Sequence, residues 1–224
     1  MSSYQFHGSL NKLSGLKPGK VVCVGRNYAA HAKELGNEVP SSPVLFMKPA
    51  TALVNWNDQV VIPTDRGECH HELELAVLIG QTLSSAYETE VEQSIVGISL
   101  ALDLTLRDLQ SDLKAKGHPW EMAKAFDGSC PVAQWMPLNS IEELSDCLLE
   151  LSVNDSLRQS TLTSSMIWPV VPLIQYISKY FRLEPGDIIL TGTPAGVAAL
   201  HPGDHLQAKL ANRLTIDSEV TARD

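Results

Sequence analysis

The sequence predicts an α+β domain dominated by strands, a sandwich or barrel with short helices inserted between them. Short apolar or alternating segments bounded by turn residues outnumber segments with helical spacing. The strands do not alternate regularly with helices, which argues against a doubly wound parallel sheet. The 224 residues, of which 44% are hydrophobic and 19% charged, have the composition of an ordinary globular protein. A chain of this length is most simply one domain.

Composition argues against several classes of partner. The formal net charge of −9 disfavours binding to nucleic acid or to an anionic membrane surface. The first residues lack the pattern of a secretory signal, and no apolar run reaches the length of a membrane span. The four cysteines are scattered without a Cys-x-x-Cys pair, so we expect reduced thiols. We therefore expect a cytoplasmic protein, in which residues 1–17 form a leader onto the fold.

The first predicted elements are strands around one short helix. Residues 21–25 are a short apolar run that ends at a glycine, as in a buried strand. A helix should follow, with Asn27 able to cap its start and Gly36 able to end it. Residues 44–49 and 60–62 are further predicted strands, separated from their neighbours by loops rich in turn residues.

His31 and Glu34 lie on this predicted helix. Residues three apart are neighbours on one helical face. A carboxylate that polarises an imidazole is the pairing used in a general base, which is the functional interpretation. The alternative is an exposed helix pair that stabilises the helix by a few tenths of a kcal/mol.

The most informative stretch is residues 70–80. Its apolar side chains alternate as on a strand, so Glu72 and Glu74 should fall together on the opposite face. Two carboxylates held that close repel each other unless a cation neutralises them or one of them stays protonated. We interpret the pair as ligands of a divalent metal ion, and the alternative is a solvated acidic face.

Asp103 is a third carboxylate on a second alternating segment, residues 98–107. A third carboxylate from a neighbouring strand would complete an oxygen-ligand set that suits Mg²⁺ or Mn²⁺. Alternatively, Asp103 faces water or pairs with Arg107. A helix should follow this strand, because Thr105 and Asp108 have capping-box spacing.

Two later features also suggest contacts with a ligand. Lys124 stands among small and apolar residues and could present a cation to an anionic substrate, although a surface lysine is the commoner case. A predicted strand at 188–191 opens into Gly192-Thr193-Pro194, where backbone N–H groups and the Thr193 hydroxyl could hold a carboxylate. The glycine spacing matches no nucleotide-binding fingerprint.

The remaining elements are a helix and two hairpins. Residues 148–153 and 156–160 should form a hairpin with its turn at Asn154 and Asp155. Residues 167–181 have helical spacing, with prolines that confine the regular helix to its later part. Residues 206–220 should form a second hairpin.

Several separated motifs together resemble the fumarylacetoacetate hydrolase superfamily. The chain is most similar to its short, single-domain group, which includes acylpyruvases and oxaloacetate decarboxylases or tautomerases, over about residues 18–221. One departure is Ala198, where this group often has another glycine. The motifs are Val24-Gly25-Arg26-Asn27-Tyr28 with His31, Pro43-Val44-Leu45-Phe46 with Lys48-Pro49, His70-His71-Glu72-Leu73-Glu74-Leu75, Leu102-Asp103 with Thr105 and Arg107-Asp108, Lys124 before Phe126-Asp127, and Thr191-Gly192-Thr193-Pro194 with Gly196-Val197.

The resemblance implies a mixed β-roll, a catalytic domain at residues 18–224 and, usually, a homodimer. It implies Mg²⁺ or Mn²⁺ as the cofactor and a small 2-oxo acid as the substrate. The residue roles that it implies are metal binding by Glu72, Glu74 and Asp103, catalysis by His31, Glu34 and Lys124, and substrate binding by Arg26, Arg107 and Thr193.

The expected reaction is hydrolysis of a C–C bond in an acylpyruvate-type 2,4-diketo acid, through a metal-bound pyruvate enolate. A metal ion that chelates a 2-oxo acid can act as a Lewis acid on the keto oxygen. The pair of His31 and Glu34 favours hydrolysis because it supplies a base that can activate water. The alternatives at the same site are an oxaloacetate decarboxylase, an oxaloacetate keto–enol tautomerase, or a related 2-oxo-acid isomerase or decarboxylase. A non-catalytic module that binds a structural cation would have no need of this pair or of Lys124.

Overall fold

Three β-sheets form the framework of the protein. The computed structural model describes residues 4–10, 15–57 and 59–223. The strands are β1 (Val21–Gly25), β2 (Val44–Lys48), β3 (Leu53–Asn55), β4 (Gln59–Ile62), β5 (Cys69–His71), β6 (Leu73–Ile79), β7 (Ile95–Leu102), β8 (Thr105–Leu106), β9 (Cys130–Val132), β10 (Leu148–Val153), β11 (Ser156–Leu162), β12 (Ile188–Leu190), β13 (Ala198–Ala199), β14 (His205–Leu210) and β15 (Leu214–Ala222). The helices are α1 (Ala29–Glu34), α2 (Glu88–Ser94), α3 (Arg107–Ala115), α4 (Glu121–Lys124) and α5 (Val170–Tyr180), with 3₁₀ turns at Ala50–Ala52, Ile141–Ser145 and Thr163–Ser165.

The two larger sheets are mixed, the small one is antiparallel, and the largest has seven strands. Its order is β2-β1-β12-β6-β7-β9-β3, with β1 parallel to β12 and β6 antiparallel to both of its neighbours. A five-stranded sheet has the order β11-β10-β14-β15-β4, and a three-stranded sheet has the order β13-β5-β8. The predicted strand-dominated α+β architecture with short inserted helices is therefore confirmed.

Strand β6 lies in the middle of the largest sheet and is buried on both faces. Leu73, Leu75 and Val77 belong to the larger hydrophobic cluster, whereas Ala76 and Leu78 belong to a second cluster on the opposite face. The sequence pattern predicts an apolar face and an acidic face for this segment. The acidic face is in fact short, because apolar residues continue it after Glu74.

Both predicted metal-binding strands are interrupted where their carboxylates lie. The segment 70–80 is divided at Glu72 into β5 and β6, which belong to different sheets. The segment 98–107 is likewise divided, because β7 ends at Leu102 and Thr105 begins β8 in the small sheet. The two interruptions are joined, since the Asp103 backbone N–H donates to the Glu72 carbonyl at 2.8 Å. Glu72 and Asp103 thus lie where the chain crosses from the large sheet to the small one.

Both predicted N-terminal caps are wrong, whereas Gly36 follows the end of α1 with a φ of 64°, as predicted. Asn27 does not cap α1, whose first flanking residue is Tyr28. Its side-chain amide instead donates to the carbonyls of Thr191 at 2.7 Å and Trp168 at 3.0 Å. Thr105 does not cap α3 either, because its hydroxyl donates to the Asp103 carbonyl at 3.0 Å. The partners of Asn27 lie far away in the sequence, which local spacing cannot indicate, whereas Thr105 bonds to a residue only two positions before it.

The predicted hairpins and the late helix are confirmed. Asn154 and Asp155 connect β10 to β11 with φ values of 50° and 60°, as a two-residue hairpin loop of this hand requires. Strands β14 and β15 form the second hairpin. Helix α5 begins directly after Pro169, and Pro172 falls in its first turn, where a missing N–H is tolerated.

The predicted leader falls only partly within the described residues. Residues 1–3 and 11–14 lie outside them. Tyr4 is buried, and its hydroxyl accepts a hydrogen bond from the Trp135 indole at 2.7 Å. The Phe6 ring packs against both of these rings. Among the described residues, no helix is long and apolar enough to cross a membrane.

The packing of Lys17 against the turn before β12 can be tested at Gly186. Gly186 and Gly203 both adopt positive φ, 96° and 92°. A Cβ atom at Gly186 would lie 2.1 Å from the Lys17 carbonyl oxygen, whereas Gly203 has open space around it. We expect Gly203→Ala to lower the free energy of unfolding by about 1 kcal/mol through backbone strain. Gly186→Ala should lower it by at least about 2 kcal/mol more through the added clash. Urea unfolding of both variants measures the difference, and equal losses would contradict the packing described here.

Candidate active site

Three buried carboxylates define the centre of the candidate site. Glu72 lies between β5 and β6, Glu74 is on β6 and Asp103 follows β7. One oxygen from each carboxylate lies within 4.8 Å of the others. All three residues are buried, with at most 4% of their surface exposed. The solvated acidic face proposed as an alternative from the sequence is therefore wrong.

Three cations surround these carboxylates. Lys124 Nζ donates to Glu72 Oε2 at 2.8 Å and to Asp103 Oδ2 at 2.5 Å. Arg107 donates to the other oxygen of Glu72. Lys48 Nζ lies 2.8 Å from Asp103 Oδ1, at an ion-pair distance without hydrogen-bond geometry. Arg107 thus pairs with Glu72 and not with Asp103.

Burial and the neighbouring charges shift the pKa values of Glu72 and Glu74 in opposite directions. Burial raises the pKa of Glu72, but the charges of Lys124 and Arg107 outweigh burial, so its pKa lies well below the usual range. The pKa of Glu74 is raised well above the usual range, first by burial and then by the charges of Asp103 and Glu72. The Gly192 N–H donates to Glu74 Oε2 at 2.5 Å and opposes this shift only in part. Glu74 is the carboxylate that the neighbouring protein cations do not neutralise.

This donor set fits a divalent metal ion. Carboxylate oxygens that converge from three residues suit the hard cations Mg²⁺ and Mn²⁺. The repulsion that raises the pKa of Glu74 is also what a divalent cation between the three groups would remove. Glu72, Glu74 and Asp103 can therefore hold a metal ion here.

His31 and Glu34 are close to each other, as the helical spacing predicts. His31 Nδ1 lies 3.2 Å from Glu34 Oε2. His31 is buried and lines the same cleft as the carboxylates, so the alternative of an exposed pair does not describe it. Glu34 Oε1 also accepts a hydrogen bond from the Gly196 N–H at 2.9 Å, which ties α1 to the loop after β12. With Nδ1 held by Glu34, Nε2 is the ring nitrogen left for chemistry.

The loop after β12 is held by one glutamine from another sheet. Gln159 on β11 donates to Thr193 Oγ1 at 2.8 Å and to the Pro194 carbonyl at 3.0 Å. Its side-chain oxygen accepts from the Leu73 N–H at 3.0 Å and lies 3.1 Å from His71 Nδ1. The Thr193 hydroxyl in turn donates to the Leu73 carbonyl at 2.9 Å. This hydroxyl is thus engaged within the protein and does not donate outward.

The predicted residues meet in one cleft. Eight of the nine predicted site residues line it, and Glu34 reaches it through its contact with His31. Those that line the cleft are Arg26, His31, Glu72, Glu74, Asp103, Arg107, Lys124 and Thr193.

Four polar residues of the site carry no role in the sequence analysis. Lys48 has a local signal, since a lysine that ends an apolar strand before Pro49 is a rare residue in a buried position. Gln110 and Lys114 also have a local signal, because their spacing places them on the same helical face as Arg107. All three residues line the cleft. Gln159 has no such signal, since its partners lie far away in the sequence.

Comparison with known proteins identifies the family. The family model described as fumarylacetoacetate (FAA) hydrolase C-terminal matches residues 20–221. The chain belongs to the fumarylacetoacetate hydrolase family. The family resemblance stated from the motifs is therefore confirmed.

Several relatives cover nearly the whole chain. Oxaloacetate tautomerase YcgM of Escherichia coli is 51% identical over 91% of this chain and 93% of its own. The human mitochondrial oxaloacetate tautomerase FAHD1 is 42% identical over 89% of this chain and 90% of its own. A crystal structure of fumarylpyruvate hydrolase from Pseudomonas aeruginosa, in complex with Mn²⁺ and pyruvate, is 33% identical. That structure has a TM-score of 0.89 and covers 98% of this chain and 95% of its own.

Metal binding provides a direct test of the carboxylate cluster. We expect one Mn²⁺ per chain in a calorimetric titration, with an affinity that rises with pH because Glu74 has to lose its proton. Glu74→Gln should weaken binding by about 100-fold or more, since loss of a ligand should cost at least as much as the ~10–100-fold loss from an outer-shell partner.

A control variant and a stability measurement accompany the Mn²⁺ titration. Glu34→Gln, which leaves the three carboxylates intact, should bind Mn²⁺ as the wild type does. At a free Mn²⁺ concentration of 100 times the dissociation constant, unfolding should require about 2.7 kcal/mol more than without metal. Unchanged Mn²⁺ binding by Glu74→Gln would exclude the cluster as the metal site.

Proposed function

We propose that this protein is a Mg²⁺- or Mn²⁺-dependent enzyme that interconverts the keto and enol forms of oxaloacetate. The observation that carries the proposal is the 51% identity to the oxaloacetate tautomerase YcgM over 91% of the chain. The 42% identity to the human oxaloacetate tautomerase also supports it. The preference for hydrolysis that followed from His31 and Glu34 becomes the second candidate, because relatives of higher identity bear the tautomerase name.

The charge of the cleft supports a dianionic 2-oxo acid as the substrate. Glu72, Glu74 and Asp103 would hold the metal ion, which supplies a Lewis acid for the 2-oxo group when bound. Arg107 and Lys124 already contact these carboxylates and add positive charge at the same place. An anionic substrate therefore finds excess positive charge once the metal has neutralised the cluster.

His31 is the proposed acid and base. Formation of the enol moves one proton from C3 to the 2-oxo oxygen, and the reverse reaction moves it back to C3. His31 Nε2 exchanges the proton at C3, while Glu34 holds the ring through Nδ1 and stabilises its charged form. The Lys124 ammonium stabilises negative charge that develops on the substrate oxygen. Only a proton moves, so no water is consumed.

Two further reactions remain candidates at the same site. Hydrolysis of an acylpyruvate-type diketo acid is favoured by the fumarylpyruvate hydrolase structure, which is 33% identical with a TM-score of 0.89. Decarboxylation is favoured by the mitochondrial oxaloacetate decarboxylase of Dictyostelium discoideum, which is 44% identical over 82% of this chain. Both would use the same carboxylates and the same cations.

Enol–keto exchange of oxaloacetate tests the proposal. We expect the wild type to speed the loss of enol absorbance above the rate with Mg²⁺ alone. His31→Asn should reduce the enzymatic rate by about 100-fold or more, the usual contribution of a general base. His205→Asn, a change at an exposed histidine of β14, should leave the rate unchanged.

Pyruvate release separates the three reactions. It is measured in parallel from oxaloacetate and from acetylpyruvate at the same enzyme concentration. Enol–keto exchange that is faster than either release supports the tautomerase. Faster release from acetylpyruvate would favour the hydrolase, and faster release from oxaloacetate the decarboxylase. Absence of enol–keto acceleration would overturn the main proposal.

We also propose that the protein is a homodimer. Helix α4 carries Lys124 toward the site and Met122 outward, where 67% of the methionine surface is exposed. Met47, Pro49 and Phe126 line the same apolar depression as Met122. Its rim carries Lys20, Arg66 and Glu121, charges of both signs that can pair when a surface meets its own copy about a two-fold axis.

The oligomeric state tests this second proposal. By light scattering after gel filtration, we expect a dimer for the wild type and a monomer for Met122→Glu at the same concentration. A charge placed in the middle of an apolar interface should weaken association strongly. Leu157→Glu, at an apolar residue that is 59% exposed on β11, should remain dimeric. A dimer in both variants would exclude this face.

A further inference from the structure

Helix α3 presents three polar residues to the cleft, and only one of them pairs with the carboxylates. Arg107, Gln110 and Lys114 follow one another at spacings of three and four residues and share one helical face. Arg107 is held through its two terminal nitrogens, which donate to Glu72 and, at 2.7 Å, to Gln110 Oε1, while its Nε has no partner in the described part of the chain. Lys114 is the second cation of this face, farther along the helix.

Aromatic rings hold Lys114 in place beside the cleft. Its ammonium nitrogen lies 5.1 Å from the centre of the Trp120 ring, a cation–π distance. Trp120 is itself packed against Phe46, with ring centres 6.0 Å apart. Trp120 and Phe46 also line the cleft. The lysine is therefore half-buried and positioned, unlike a freely moving surface lysine.

Lys114 and Arg26 lack a carboxylate partner of their own. Within residues 4–10, 15–57 and 59–223, no ion pair involves either side chain. Both line the cleft, and Arg26 adopts a φ of 61°, a left-handed conformation that is unfavourable for a non-glycine residue. The pKa of Lys114 is lowered to about 8, by burial first and then by the charges of Arg107, Arg26 and Lys124. Two crowded cations thus share one side of the cleft.

We propose that Lys114, together with Arg26, binds the distal carboxylate of the substrate and selects dicarboxylic 2-oxo acids over those with a neutral far end. This inference rests on the proposed function, in which the 1-carboxylate and 2-oxo group lie at the carboxylate cluster. The far end of such a substrate then points toward the remaining cations of the same cleft. Lys114 is a specificity-determining residue in this scheme, since it takes no part in the proton transfer.

Two stable ligands isolate the distal carboxylate. Malate and lactate both offer a 1-carboxylate and a 2-oxygen, and they differ mainly in the second carboxylate of malate. Their dissociation constants are measured on the Mn²⁺-loaded protein. We expect the wild type to bind malate at least tenfold more tightly than lactate, with a preference that shrinks as salt is added.

Substitution of Lys114 should remove that preference selectively. Lys114→Met keeps an unbranched apolar chain against Trp120. It should weaken malate binding about tenfold and leave lactate binding unchanged. Lys114→Arg should retain most of the malate affinity. Lys116→Met, at an exposed lysine just beyond α3, is the matched control and should bind both ligands as the wild type does. Thermal unfolding of each variant checks that it folds.

Three results would overturn the inference. The first is an equal loss of malate and lactate affinity in Lys114→Met, and the second is unchanged malate affinity in that variant. The third is a loss of malate affinity in Lys116→Met as large as that in Lys114→Met. Failure of the tautomerase assay leaves these binding measurements interpretable, because malate and lactate are not turned over. If the wild type is active as a tautomerase but Lys114→Met loses no malate affinity, the proposed function stands and the proposed role of Lys114 is refuted.

Discussion

The structure depends on one unfavourable arrangement, three carboxylates buried together in the protein interior. Glu72, Glu74 and Asp103 have oxygens within 4.8 Å of one another and almost no exposure. Burial of unpaired charge is costly, so such a cluster persists only with compensating cations and hydrogen bonds. Lys48, Lys124 and Arg107 provide part of that compensation, and the raised pKa of Glu74 shows that it is incomplete.

The fold brings the cluster together because two neighbouring strand segments, 70–80 and 98–107, are each interrupted beside a carboxylate. The chain leaves one sheet for another at Glu72 and again beside Asp103, and a backbone hydrogen bond joins these two points. Strand β12 supplies a third element, because the Gly192 N–H after it donates to Glu74. Glu72 and Asp103 thus lie at junctions between sheets, and Glu74 lies on β6 beside them.

Much of this site could be predicted from short-range patterns, and the rest depends on long-range contacts. The period of two around Glu72 and Glu74 and the spacing of His31 and Glu34 are local, and the structure brings both pairs together. The caps assigned to Asn27 and Thr105 were wrong, because the Asn27 amide bonds across the fold to Thr191 and the Thr105 hydroxyl bonds back to the Asp103 carbonyl. The role of Gln159 could not be predicted at all, since its partners lie 34 and 86 residues away in the sequence and the residues next to it give no signal of them.

The position of Lys124 connects charge balance to the proposed reaction. Its ammonium bridges Glu72 and Asp103 and neutralises part of the negative charge of the cluster. A divalent ion on the same carboxylates would take over that neutralisation and leave the ammonium available to an anionic substrate. Lys124 is attached to α4, the helix whose outer face carries Met122. The residue that responds to metal and substrate therefore lies on the same short helix as the proposed dimer contact, so association of two chains would hold that helix, and with it the ammonium, in place.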